Sequence, residues 1–213
     1  CDSGTISMSF NDADNDLALS TGDTVSMTAN NCVFSGVSMN GSMSVTNVSV
    51  LGNQVSAPYS LQFTLQTSGF SVSAGGETVA MNGGATVAES TNDDITFTSS
   101  ISGSGIRITA GGETLTLTDF QITETENQAT GAYTIAINAT VSSSTLGGSV
   151  RVSTDVALSG VEPFDPNAGQ LTCVGNNSSA TLTVIDSTSV QIELDIDDDG
   201  IADDTFTEPW AAL

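Results

Sequence analysis

Apolar and polar residues alternate with a period of two over long stretches of this chain. Clear examples are Thr114–Thr118 (TLTLT), Tyr133–Ile137 (YTIAI) and Ala180–Val184 (ATLTV). Alternate residues of a strand point to opposite faces of a sheet, so this period predicts β-strands with one apolar face and one face rich in Ser and Thr. β-branched residues are abundant, and no helical period competes with this interpretation.

Doubled glycines recur at a fixed interval of 36 residues, at 75–76, 111–112 and 147–148, and the first two lie within the same pentapeptide, Ala-Gly-Gly-Glu-Thr. Further turn-forming clusters lie about midway between them, at 92–94, 128–131 and 165–169. A repeat with a turn at each end and another in the middle is typical of a β-hairpin unit repeated along the chain.

The repeat predicts an all-β fold, a long-stranded antiparallel meander of ~36-residue hairpin units within one domain, 1–213. Each unit would supply two strands of about 12–16 residues, which is longer than the usual strand. The segment 37–74 fits less closely, with Asn40-Gly41 and Ala57-Pro58 as its expected turns. A sheet with one apolar face must cover that face. We therefore expect it to curl into a barrel or a sandwich, or to dock against another copy.

The charge balance narrows the functional classes. The chain has 25 acidic residues, two arginines, no lysine and no histidine, for a net charge of −23. This charge repels nucleic acid and anionic membranes, and its self-repulsion is relieved by salt or bound cations. Acidity that only keeps the protein soluble is the alternative. Without histidine or lysine, Ser–His, Cys–His and lysine-based chemistry is impossible within the chain, so we expect no enzyme.

The cysteines are Cys1, Cys32 and Cys173. The start Cys1-Asp2-Ser3-Gly4 resembles that of bacterial lipoproteins, which implies a lipid on Cys1 and membrane anchoring only through that lipid. Cys32 and Cys173 would then remain as a pair able to form a disulfide in an oxidising compartment. A processing boundary at Cys1 and two unpaired thiols are the alternatives. The chain has no run of 18 apolar residues, so no transmembrane helix is expected.

An acidic segment near the beginning of the chain has the spacing of a calcium loop. Calcium prefers six to eight oxygen ligands, which acidic side chains at alternate positions can supply. The candidates, at loop positions 1, 3, 5, 7, 9 and 12, are Asp12, Asp14, Asp16, Ala18 (through its carbonyl), Ser20 and Asp23. The segment resembles the EF-hand calcium loop and its relatives in bacterial exported proteins, although Leu17 replaces the usual glycine and the flanks are strand-like. A solvated Asx-rich turn is the alternative.

A second acidic segment lies near the other end, with Asp-x-Asp-x-Asp-Gly spacing. Its candidate ligands are Asp195, Asp197, Asp199 and Asp203, with Gly200 at the position of the sharp turn. It resembles the calcium loops of dockerins and thrombospondin type 3 repeats, which implies calcium as a cofactor. Because Asp199-Gly200 is also a strong hairpin signal, a plain acidic hairpin tip is the alternative.

Three functional classes follow. The first is a non-enzymatic, calcium-stabilised protein of the bacterial cell surface or extracellular space, either self-assembling into a fibre or coat or adhesive. The second is an envelope lipoprotein that binds an amphiphile on the apolar face of its sheet. The third is a calcium-dependent carbohydrate-binding module that uses Trp210, the single tryptophan.

Overall fold

The computed structural model describes residues 1–53, 56–145 and 147–212, and most of them belong to one antiparallel sheet. Its thirteen strands lie side by side in chain order, as an uninterrupted meander. The strands are β1 (Ser3–Asn11), β2 (Thr24–Phe34), β3 (Val37–Asn53), β4 (Ser56–Ala74), β5 (Glu77–Thr91), β6 (Thr96–Ala110), β7 (Glu113–Asn127), β8 (Ala132–Ser143), β9 (Gly148–Val161), β10 (Ala168–Val174), β11 (Ser179–Asp186), β12 (Ser189–Asp195) and β13 (Asp204–Pro209). A short 3-10 turn, Trp210–Ala212, follows β13.

The hairpin repeat is confirmed for the units that begin at the first two glycine pairs. The unit that begins at Gly147 departs from it, because its second half is divided into two short strands, β10 and β11. Gly75-Gly76 forms the turn between β4 and β5, and Gly111-Gly112 forms the turn between β6 and β7. The segments 92–95 and 128–131 supply the intervening reversals. The strands from β5 to β9 are 12 to 15 residues long, as expected from the 36-residue period.

Two predicted turns are wrong. Asn40-Gly41 lies within β3 and Ala57-Pro58 within β4. Gly41 marks a bulge in the β3–β4 register, where its φ is +89° and an added Cβ would lie 2.2 Å from the carbonyl oxygen of Gly69. The glycine is therefore needed for a close approach of two strands, which produces the same local signal as a turn.

The sheet has one apolar and one polar face. Residues directly opposite one another share a face, so the register traces rows across the strands. One row crosses nine strands and contains no charged side chain: Met8, Met27, Met43, Thr67, Gly83, Ile106, Leu117, Val141 and Val150. On the other face, neighbouring rows begin Ser9, Ser26, Ser44 and Gln66, and Ser7, Thr28, Ser42 and Ser68. The predicted two-faced alternation is confirmed.

Barrel or sandwich closure is not observed. β1 and β13 are the two edges of the order, and the strands of the described residues make their substantial contacts only with neighbours along the chain. On the apolar face, side chains therefore pack only against those of nearby strands in the same sheet, and they form two buried clusters. Ala85, Phe120 and Ala139 form one, and Leu158, Val184 and Val190 form the other, against which Trp210 packs.

Candidate metal sites

The first acidic loop joins β1 to β2 and brings three carboxylates together. One oxygen each of Asp12, Asp14 and Asp16 lies within 4.8 Å of the others, so the group could hold a metal ion. The Ser20 hydroxyl donates a 3.0 Å hydrogen bond to Asp14 and thus lies beside the group. Carboxylate and hydroxyl oxygens at this spacing are hard ligands of the type that calcium or magnesium accepts.

Backbone donors hold the first loop in shape. Asp12 accepts hydrogen bonds from the N–H groups of Asn15 (2.6 Å), Asp16 (3.3 Å) and Leu17 (2.9 Å). The Ala18 N–H donates to Asp16 at 2.7 Å. The pKa of Asp12 is lowered, chiefly by the Leu17 N–H and also by the N–H groups of Asn15 and Asp16. The loop therefore keeps Asp12 ionised, as a metal ligand must be.

Leu17 occupies the position that is glycine in the EF-hand loop, and it adopts the conformation that glycine would. Its φ is +61°, in the left-handed region, and its side chain is 88 % exposed. Asn15 has a φ of +62°. A leucine at position 6 therefore strains the backbone of the loop, since a side chain with a Cβ disfavours this conformation. Burial of the Leu17 side chain does not offset this strain, because the side chain is exposed.

Asp23 does not join the three carboxylates as expected. It is completely buried, and its two oxygens accept the N–H groups of Ala13 (2.8 Å) and Ser20 (2.7 Å). Its role is to close the loop by tying its beginning to its end. In this structure Asp23 therefore acts as a cap of the loop backbone, because both of its oxygens are taken up by these N–H groups and it lies outside the three-carboxylate group.

The second acidic loop joins β12 to β13. Oxygens of Asp195, Asp197 and Asp203 lie within 4.8 Å of one another. The fourth predicted ligand, Asp199, is outside this group, and its Oδ1 accepts the Ile201 N–H at 2.8 Å. Asp195 is only 8 % exposed and accepts the N–H groups of Asp198 (2.7 Å) and Gly200 (2.9 Å). In this cluster Asp195 is therefore buried, whereas Asp197 and Asp203 are exposed.

Asp203 ties the second loop closed in the way that Asp23 ties the first. Its Oδ2 accepts the Ile196 N–H at 2.8 Å, and Ile196 follows the first aspartate of its loop as Ala13 follows Asp12. Asp203 makes this bond and also belongs to the carboxylate group of its loop, whereas Asp23 lies outside the carboxylate group of the first loop. The spacing of acidic residues did not reveal which of them would cap the backbone.

The two loops lie at diagonally opposite corners of the sheet. Each belongs to an edge hairpin, β1–β2 or β12–β13. Successive turns of a meander alternate between its two ends, so a loop after an odd strand and one after an even strand lie at opposite ends. The first loop is also fixed to β3, because the Thr21 hydroxyl accepts the Val50 N–H and donates to the Val50 carbonyl.

The cysteine predictions are wrong. Cys32 forms a disulfide with Cys1, and Cys173 is free. The Asp2 N–H donates to the Val33 carbonyl at 2.6 Å, which holds the residues before β1 beside Cys32. Cys173 lies on β10, eight strands away from β2 in an open sheet. Lipidation of Cys1 at sulfur is incompatible with this bond, because the sulfur is already used.

Trp210 packs against the cluster of Leu158, Val184 and Val190, and its indole N–H donates to the Asp186 carbonyl at 3.3 Å. It covers one end of the apolar face beside the β11–β12 turn. Trp210 therefore has a structural role in packing this cluster.

Sequence reasoning did not anticipate how much apolar surface stays uncovered. Large apolar side chains remain exposed on the strands, including Met8 (73 %), Phe10 (46 %), Val79 (50 %) and Ile101 (43 %). Each lies on the apolar face by register, with Met8 opposite Met27 and Phe10 opposite Val25. In the described part of the chain, no helix is long and apolar enough to cross a membrane.

Comparison with protein-family models, with curated proteins and with solved structures finds no match to this chain.

Proposed function

We propose that this protein is a non-enzymatic, extracellular structural protein of the cell surface that self-associates through its open sheet and is stabilised by calcium. The observation that carries the proposal is the uncovered apolar face. An apolar sheet face is stable in water only when another layer of protein or a ligand covers it, and in this single-layer sheet no other layer of the described residues does so.

The surface area gives this argument a magnitude. A compact protein of 21.6 kDa is expected to expose about 9,200 Å², whereas this chain exposes 12015 Å². The excess of about 2,800 Å² is larger than the ~800 Å² that one partner contributes to a standard interface. A second copy offers a face of the same chemistry and extent, and sheets of this kind stack about 10 Å apart.

The acidic loops could reduce the electrostatic repulsion between two copies by binding cations. Two chains with a net charge of −23 each repel one another. Metal bound at Asp12, Asp14 and Asp16, and at the second cluster, would reduce that charge and hold both edge hairpins. Calcium is the ion we propose, because the ligands are all oxygens on flexible loops and calcium is the hard cation that tolerates irregular geometry. The Cys1–Cys32 disulfide suits an oxidising, extracellular location.

A variant pair separates the two faces of the sheet. Met27→Ser with Met43→Ser changes the charge-free apolar row, and Ser26→Ala with Ser44→Ala changes the adjacent positions of the polar face on the same two strands. We expect the wild type and the polar-face control to form multimers in calcium, seen by sedimentation and negative-stain microscopy. The apolar-face variant should associate at least tenfold more weakly. Equal association of both variants would exclude the apolar face as the contact.

The second candidate is an amphiphile carrier, and the same uncovered face favours it. A carrier would remain monomeric and would hold lipid on the apolar row. Solvent extraction of the purified protein followed by mass spectrometry distinguishes the two functions, because a stoichiometric lipid on a monomer supports the carrier and multimers without lipid support self-association.

A further inference from the structure

We propose that β1 is the pairing edge of the sheet, and that two copies join by antiparallel β1–β1 pairing centred on Met8. The inference rests on the proposed self-association and names the partner and the register of one contact. The edges of the sheet are β1 and β13. An edge strand carries unpaired N–H and C=O groups that can extend the sheet with another chain.

The two edges differ in the features that prevent such pairing. β13 is six residues long and contains Asp204, Glu208 and Pro209. Short length, charge and proline are the usual protections of an edge strand. β1 is nine residues long, SGTISMSFN, and has neither charge nor proline. In a chain with 25 acidic residues, β1 is thus an uncharged and unprotected edge.

The sequence of β1 is self-complementary about Met8. Its regular pairing with β2 runs from Thr5 to Asn11, after an irregularity between Ser3 and Thr5, and the middle of that segment is Met8. In an antiparallel pair centred there, Ile6 would lie opposite Phe10 of the second copy and Met8 opposite Met8, which joins the two apolar faces. On the polar face, Ser7 would lie opposite Ser9.

A neighbouring register is poorer. Centring on Ser7 would place Phe10 opposite Gly4, which offers no side chain and has a φ of +73°. A shift by a single residue would place the apolar residues of one copy opposite polar residues of the other, so that the two apolar faces would lie on opposite sides of the joined sheet. The Met8 register alone keeps every large apolar side chain of β1 opposite another.

Charge favours the antiparallel direction. The acidic loop follows Asn11 directly, so antiparallel pairing places the two loops at opposite ends of the shared seam, whereas parallel pairing would place them side by side. Seven extended residues separate those ends by about 23 Å, which exceeds the Debye length of about 8 Å at physiological ionic strength. The seam itself brings no charged side chains together.

Cysteine cross-linking tests the register directly. In a Cys173→Ser background, Met8→Cys places two thiols directly opposite one another, where Cβ atoms are ~5 Å apart. We expect mild oxidation to give mostly covalent dimers, with the new bond mapped between two copies of position 8. The matched control is Phe206→Cys, an apolar-face position in the middle of β13, opposite Ile192. It should remain uncross-linked under the same conditions.

A second variant blocks the edge and leaves the apolar face intact. Ser7→Asp with Ser9→Asp places like charges opposite one another across the seam, on the polar face, and should weaken β1 pairing at least tenfold. If the wild type stays monomeric at every concentration, the proposed self-association fails, and this inference with it. If the wild type associates but the aspartate variant associates equally well, or Phe206→Cys links as readily as Met8→Cys, the β1 edge alone is refuted.

Discussion

Asp12 and Asp195 accept the same pair of backbone hydrogen bonds, although they lie in hairpins at opposite edges of the sheet. Each accepts the N–H of the residue three positions on (2.6 and 2.7 Å) and that of the residue five positions on (2.9 Å in both). The residues three positions on, Asn15 and Asp198, have φ angles of +62° and +60°. Two loops of different sequence and length thus share one backbone arrangement around an acidic cluster.

If this shared arrangement holds calcium, chelation will destabilise the protein. We expect the melting temperature to fall by several degrees in chelator at fixed ionic strength, because an ion that binds only the folded state stabilises it. Asp14→Asn with Asp197→Asn should abolish most of that response, since each removes one charged oxygen from a cluster. Asp165→Asn, in the loop between β9 and β10, is the control and should respond like the wild type. A wild-type melting curve unchanged by chelator would count against both sites.

Leu17 provides an independent test of the first loop. Replacing Leu17 by Gly should stabilise the protein by about 0.5–1 kcal/mol, because the strain of a positive φ is relieved and the exposed side chain loses no packing. Leu51→Gly is the matched control, since Leu51 is also exposed, at 68 %, but lies in the extended strand β3. It should be destabilising. Denaturant unfolding of both variants measures the difference, and a loss of stability in Leu17→Gly would contradict the loop geometry.

The sequence predicted much of the fold because two independent signals agreed. The period of two indicated strands with distinct faces, and the 36-residue spacing of doubled glycines located their reversals. The signals failed at Gly41, where a close approach between strands requires the same residue as a turn. They also could not reveal whether the sheet closes, since closure depends on the accumulated twist of many strands and not on any single one.

The candidate sites were predicted in part for a similar reason. Acidic spacing identified both clusters but did not separate the carboxylates that could bind metal from Asp23, a buried side chain that accepts two N–H groups of its loop. The disulfide was mispaired because Cys32 could meet Cys173 only in a closed sheet. In the open meander, the partner of Cys32 is Cys1, which lies just before the neighbouring strand β1.

The disulfide itself makes a measurable contribution. Cys1 and Cys32 are separated by 31 residues, so their bond should stabilise the protein by about 3–4 kcal/mol by restricting the unfolded chain. Cys1→Ser with Cys32→Ser should lose most of this, and Cys173→Ser should lose much less. Non-reducing peptide mapping provides the direct check. A linkage between the peptides of Cys32 and Cys173 would contradict the open sheet.

Acid should weaken the β11–β12 turn. The pKa of Asp186 is lowered, first by the hydrogen bond from the Thr188 hydroxyl, then by the Thr188 N–H and the Ser189 hydroxyl and N–H. A carboxyl whose folded pKa lies below its unfolded value contributes stability above the unfolded pKa, and this is lost as pH falls through the folded pKa. The stability difference between wild type and Asp186→Asn should therefore shrink as pH is lowered from about 5 to about 2. A difference that stays constant in that range would contradict the hydrogen-bonded turn.

The most direct test of the account is the molar mass of the purified chain in calcium, measured by light scattering across a concentration series. An open sheet with an uncovered apolar face predicts species of at least twice the 21.6 kDa of one chain, with the multimer fraction decreasing in chelator and in Met27→Ser with Met43→Ser. A mass of one chain at every concentration, with no lipid or other ligand on the apolar face, would contradict it.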